Sequence, residues 1–170
     1  VKRDYQRFVD NWDHHENVTI CPHTIQYESV KEKLEELKAW GNLKRVGFDA
    51  FGGMATEIQT WGNIDDSYNP ESDLPMWALP QTIMSMGPST YLLESLLRHR
   101  SIAFEKDDIV EYALANVQLE KNINGDRRPS KLKSMGIIDP IVASVMLCGV
   151  LIKEGAERPG AYFDPGDIAC

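Results

Sequence analysis

The stretch Ser134-Met-Gly-Ile-Ile-Asp-Pro-Ile-Val-Ala-Ser-Val-Met-Leu-Cys148 constrains this chain most, because it opens on one carboxylate and then runs almost wholly apolar. Asp139 falls where a helix N-cap is expected, its side-chain oxygen placed to accept from the free N–H groups of the first turn. Pro140 follows at N1, where a missing N–H costs nothing. Ile141, Val142, Val145, Met146, Val150 and Leu151 make too apolar a face for a surface helix, so a central packing helix is predicted. Its uninterrupted apolar part is well short of the ~20 residues that a membrane span requires. Asp139 then has two readings: a cap contributing about 1 kcal/mol, or a carboxylate fixed at the edge of a core, as a metal ligand is. The second reading needs another acid.

That acid is sought along the rest of the chain. Tyr27, Val30, Leu34, Leu37 and Trp40 recur every three or four residues among Lys and Glu, which predicts an amphipathic helix ended by Gly41. Leu43 to Phe48 is a strand candidate, and Asp49 stands at its carboxyl end, ahead of a helix over Met54 to Trp61. Ligand chemistry gathers at the carboxyl ends of strands in α/β sheets, so Asp49 is the second acid; a turn-forming or capping role is the alternative. Gly52 and Gly53 fit neither a phosphate-cradling loop nor a dinucleotide fingerprint, and no such motif occurs elsewhere.

Residues 62 to 75 form a polar loop in which Asp65, Asp66 and Asp73 are solvated charge. Trp77 to Ile83 is a strand candidate that Pro80 confines to an edge or a bulge. A helix over Pro88 to His99 follows, then a short strand at Ile102 to Phe104, a helix from Asp107 or Asp108 to Ala115, and a strand over Asn116 to Ile123. Asn124-Gly125 marks a turn. From Gly155, with Pro159 and Pro165, an irregular tail is predicted, so that the domain occupies 1–154 and the tail 155–170.

Composition bears on partners. With 26 acids against 18 Lys and Arg, the formal charge of −8 argues against a wholly basic nucleic-acid coat. It is compatible with an enzyme whose metal-binding acids are offset by bound cations. Against this background one segment is basic: Lys121, Arg127, Arg128, Lys131 and Lys133 face a single acid, Asp126, and lead directly into Asp139. Contact with a phosphate backbone or a solvated loop would both account for it. Cys21, Cys148 and Cys170 have no paired spacing and suit a reducing cytoplasm. His14, His15, Cys21 and His23 do not close a four-ligand zinc pattern. No signal peptide or transmembrane segment is expected.

Several short segments occur in a telling order. They are Val46-Gly-Phe-Asp-Ala-Phe51, Met84-Ser-Met-Gly-Pro-Ser89 with the Leu-Glu-Ser-Leu-Leu that follows, Leu97-Arg-His99, Asn116-Val117, Asn124-Gly-Asp-Arg-Arg-Pro-Ser-Lys131 and Ile138-Asp-Pro-Ile-Val-Ala143. Over roughly residues 24 to 148 this order resembles the C-terminal nuclease domain of phage and prophage terminase large subunits. The upstream Tyr5 to Trp12 resembles that family's aromatic approach to the same region.

The resemblance implies an α/β fold of the ribonuclease-H-like type, a mixed sheet flanked by helices. It also implies a metal-dependent endonuclease that cuts double-stranded DNA during packaging, in which carboxylates converge on two cations about 4 Å apart. Asp49 and Asp139 match two of the family's catalytic, metal-binding acids, and all-oxygen ligation suits magnesium or manganese. Lys131 matches the DNA-facing stretch, with Arg127, Arg128 and Lys133 beside it. His99 and Asn116 match family positions with no chemical role attached. Implied partners are double-stranded DNA, the portal and the small terminase subunit, with no membrane, in the bacterial host cytoplasm.

The chain departs from the family in one respect: the first catalytic Asp, on an earlier strand, and the packaging ATPase domain before it are not matched. Asp4, Asp10 and Asp13 lie on no apolar strand. The expectation is an N-terminally truncated domain with an open sheet edge. It is then either part of a longer endonuclease or an inactive remnant serving as a DNA-binding or assembly module. A resolvase or integrase would arrange its acids differently.

Overall fold

The computed structural model describes residues 18, 27–41, 43–49, 51, 55–58, 60–61 and 74–157. Within them the elements run α1 (Tyr27–Ala39), β1 (Val46–Asp49), α2 (Ala55–Ile58), β2 (Met76–Leu79), α3 (Ile83–Arg98), α4 (Asp108–Asn116), β3 (Leu119–Lys121), β4 (Arg127–Pro129) and α5 (Asp139–Glu157). The expected histidine and cysteine positions from 14 to 23, the acids at 4, 10 and 13, the loop acids at 65, 66 and 73, and the tail beyond 157 lie outside the described residues.

The architecture is mixed α/β. β1 and β2 pair in parallel with Asp49 opposite Leu79, while β3 and β4 form a separate antiparallel hairpin with Glu120 opposite Arg128. Among the described residues there are thus two small sheets where one mixed sheet was expected. α5 is the central element, as its sequence demands, and packs against α3, α4, β1 and β2. One apolar core joins Met86, Leu93 and Leu96 of α3 to Ile138, Val142, Val145 and Cys148. A second gathers Phe48, Ile58, Trp61, Leu74 and Met76, with Tyr27 and Leu34 of α1 laid against it.

α5 runs antiparallel to β2, and three contacts show the step. Lys153 Nζ lies 4.3 Å from the Trp77 ring centroid, Leu79 meets Gly149, and Gln81 Nε2 reaches Met146 Sδ at 3.6 Å. The N-terminal end of α5 therefore lies beyond the carboxyl ends of the parallel pair. Gly47 allows the close approach of β1: a Cβ there would stand 2.7 Å from Leu79 Cδ1 and 2.9 Å from Val150 Cγ2.

Several boundaries differ from expectation: the strand expected over Asn116 to Ile123 is Leu119–Lys121, with Asn116 ending α4, and that expected over Leu43 to Phe48 is Val46–Asp49. α3 begins at Ile83, five residues before Pro88, because Thr82 caps it by accepting from Ser85 N at 3.2 Å; Pro88 is carried inside the helix, facing solvent. Ile102 to Phe104 is not a strand, its apolar side chains being spent against the α3–α5 core instead. The strand beginning at Met76 ends at Leu79, where Pro80 would remove the next ladder donor. α5 continues through Glu157, past the tail boundary expected at Gly155.

The turn at Asn124-Gly125 closes the β3–β4 hairpin. Asn122 and Asp126 hold each other across it, Asn122 Nδ2 donating to Asp126 Oδ2 at 2.8 Å and Asp126 N donating to Asn122 Oδ1 at 2.9 Å. Gly125 adopts φ 94°, a left-handed conformation that glycine takes without strain.

Candidate nucleic-acid interface and acidic residues

Asp139 is the first residue of α5 rather than its cap. The Ile138 carbonyl accepts from Ile141 N and Val142 N, both at 3.0 Å, so Ile138 holds the cap position and Pro140 follows at the second helical residue. A backbone carbonyl thus opens the helix, and the Asp139 carboxylate is left to turn outward, its side chain 61% exposed. It finds Lys131: Nζ donates to Oδ1 at 2.6 Å.

Asp49 ends β1, as the sequence suggests. Its Oδ1 accepts from Phe51 N at 3.1 Å, the local turn that an Asp at a strand end readily forms. Its register partner Leu79 lies at the level of Gly149 on α5, its Cδ1 3.8 Å from where a Cβ on that glycine would stand. From Gly149 back to Asp139 the helix rises about 15 Å at ~1.5 Å per residue. The two acids therefore share one side of the fold, stand at different levels, and take different partners.

The basic segment is not a loop but the second strand of the hairpin and the turn after it. Sequence reasoning missed β4 because Arg127-Arg128-Pro129 has no strand propensity; a charge pairing across the hairpin holds it. Arg128 Nε donates to Glu120 Oε1 at 2.5 Å, and its Nη1 donates to the Gln81 carbonyl, tying the hairpin to the approach of α3. Ser130 Oγ donates to Glu120 Oε2 at 3.2 Å. The Arg128 hydrogen bond holds the Glu120 carboxyl below its ordinary range, against the opposing effect of burial. Arg127 Nη2 reaches Glu94 of α3 at 2.6 Å.

Three of the four cations expected to meet DNA are thus engaged by the chain's own acids: Arg127 by Glu94, Arg128 by Glu120 and Lys131 by Asp139. Lys133 is exposed and forms no ion pair among the described residues. A cleft of about 200 Å³ beside them is lined by Glu120, Arg128, Ser130 and Lys131 with Met86 and Val142.

His99 and Asn116 have structural roles at helix ends. The His99 ring nitrogen Nδ1 lies 2.8 Å from the Ser95 carbonyl at the C-cap of α3. Asn116 Nδ2 donates to the Tyr112 carbonyl at 2.8 Å in the last turn of α4. Both are local contacts to the carbonyl four residues back, and the Ser95 carbonyl accepts from His99 N at 2.9 Å as well.

No protein-family model matches the chain. It is 28% identical over 104 residues to "Terminase, large subunit" of Enterobacteria phage HK97, a match covering 58% of this chain and 21% of that protein. The crystal structure of the HK97 bacteriophage large terminase matches with a TM-score of 0.65 at 21% identity, over 88% of this chain and 31% of that one. The chain therefore spans about a fifth of the length of the relative it matches in sequence. No described helix is long and apolar enough to cross a membrane. The chain is a homologue of part of the HK97 phage terminase large subunit, and its fold is that of the matching part of the HK97 protein.

Proposed function

We propose that this chain is the ribonuclease-H-like nuclease portion of a phage or prophage terminase large subunit, which handles double-stranded DNA during packaging in the host cytoplasm. The observation that carries the reading is the fold match to the HK97 large terminase over 88% of the chain. Asp49 at a strand's carboxyl end and Asp139 at the first turn of the central helix are consistent with it. The portal and the small terminase subunit are the protein partners this reading entails.

A two-metal phosphodiester hydrolysis would need two divalent cations, one to activate water and one to stabilise the leaving oxygen. Asp49 and Asp139 would each offer a carboxylate, hard oxygen donors suited to magnesium or manganese. Among the described residues, however, no group of three or more His, Cys, Asp or Glu side chains comes together to hold a metal. These residues alone do not fit a two-metal centre, and cleavage requires carboxylates from outside them.

A second reading, a non-catalytic DNA-binding or assembly module, is favoured by one contact: the Lys131 ammonium already neutralises the carboxylate of Asp139.

Manganese titration by calorimetry of the wild type, Asp49→Asn and Asp139→Asn, followed by plasmid nicking in magnesium or manganese, separates the two. Metal binding abolished in both variants together with nicking by the wild type supports the nuclease. Metal-independent DNA binding without nicking supports the module.

A further inference from the structure

Trp77 of β2 carries two cations. The Arg45 guanidinium lies 4.7 Å from its ring centroid and Lys153 Nζ 4.3 Å from the same centroid. Arg45 comes from the segment entering β1 and Lys153 from the last turns of α5, so three elements converge here. Lys153 lies about 21 Å of helical rise from Asp139. This cluster therefore occupies the opposite end of α5 from the basic hairpin.

Each cation gains from the indole face, but two like charges on one ring also repel. In a chain of net charge −8 the expected relief is a carboxylate. Among the described residues neither cation has one: Arg45 Nη1 donates to the Lys44 carbonyl at 2.7 Å, its Nε is buried with no hydrogen-bond partner, and Lys153 forms no ion pair. The contrast with the hairpin is direct, since Arg127, Arg128 and Lys131 all face glutamate or aspartate. Cations without an acid partner among the described residues, held over one ring and flanked by the exposed Lys44, suit an external anion. Two cations from different elements offer separate donors to phosphate oxygens, the groups that Arg and Lys most often contact on DNA.

We propose that Arg45 and Lys153, held against the Trp77 ring, form a phosphate-contact site that grips the DNA backbone at the end of the fold remote from Asp139. This rests on the DNA-handling reading given above.

The test measures binding of the full chain to a short DNA duplex by fluorescence anisotropy at several salt concentrations. Arg45→Gln/Lys153→Gln should flatten the dependence of log K on log salt by about 1.8, roughly 0.9 for each phosphate left without its cation. Lys153→Gln alone should remove about half of that, and Lys153→Arg should restore it. Lys153 is exposed, so its single variant keeps the test valid even where the double variant loses its fold, which circular dichroism reports. An unchanged slope in folded Lys153→Gln, with Lys133→Gln flattening it instead, overturns this site and leaves the DNA reading standing. No duplex binding by the wild type at low salt overturns both.

Discussion

Lys131 Nζ stands 2.6 Å from Asp139 Oδ1, so the cation expected to face DNA and the carboxylate expected to hold a metal neutralise each other. Both side chains are more than half exposed. A surface pair of this kind contributes about 0–1 kcal/mol, so Lys131→Gln should cost less than about 1 kcal/mol in urea unfolding. The same substitution removes a competitor from Asp139 and should tighten manganese binding in calorimetry. Equal affinity in wild type and Lys131→Gln would show that the ammonium does not compete at that carboxylate.

How much of this was legible in sequence depends on how far away each cause lies. The end of α1 at Gly41, the start of α4 at Asp107 and the hairpin turn at Asn124-Gly125 all rest on neighbours within a few residues. Asp107, for one, accepts from Ile109 N at 2.8 Å and Val110 N at 3.2 Å. The strand Arg127–Pro129 was not legible, because its partners are Glu120, the Gln81 carbonyl and, through Arg127, Glu94. The same distance explains why the basic segment read as free charge. Asp49 and Asp139 were legible as acids at element ends, while their different levels along α5 depend on how α5 crosses β2.

Gly47 faces α5, and its missing side chain is what lets β1 lie against the helix. A methyl group at Gly47 would meet the ends of the Leu79 and Val150 side chains, and Val150 is 4% exposed in the packed face of α5. Overpacking of this kind costs about 1–3 kcal/mol, so Gly47→Ala should lower the midpoint of thermal unfolding. Leu79→Ala in the Gly47→Ala background should recover part of that cost relative to the sum of the two single changes. Strict additivity in that cycle would locate the cost elsewhere.

Leu93 and Leu132 test what the central helix does. Leu93 is 4% exposed in the core that α3 shares with α5, whereas Leu132 is 97% exposed on the turn after β4. Truncation to Ala should cost about 2–5 kcal/mol at Leu93 and within about 0.5 kcal/mol at Leu132, read by urea denaturation. A comparable destabilisation at Leu132 would mean that this side chain is covered in solution.

Glu120 predicts a pH dependence. Its carboxyl is held below the ordinary value of 4.5, first by the Arg128 hydrogen bond, opposed by burial, and then by the Arg128 charge, Ser130 and Lys133. The unfolded chain therefore takes up this proton at higher pH than the folded chain does. By linkage, the stabilisation is complete above 4.5 and is lost as pH falls through the lower folded value. Wild type should exceed Glu120→Gln in unfolding free energy at pH 7, with the gap closing as the pH is taken below that range. Arg128→Lys should retain the charge yet lack the fork that reaches both Glu120 and the Gln81 carbonyl, so it should also lower stability at neutral pH. A gap between wild type and Glu120→Gln that stays constant down to pH 3 would mean that the carboxylate contributes nothing through its charge.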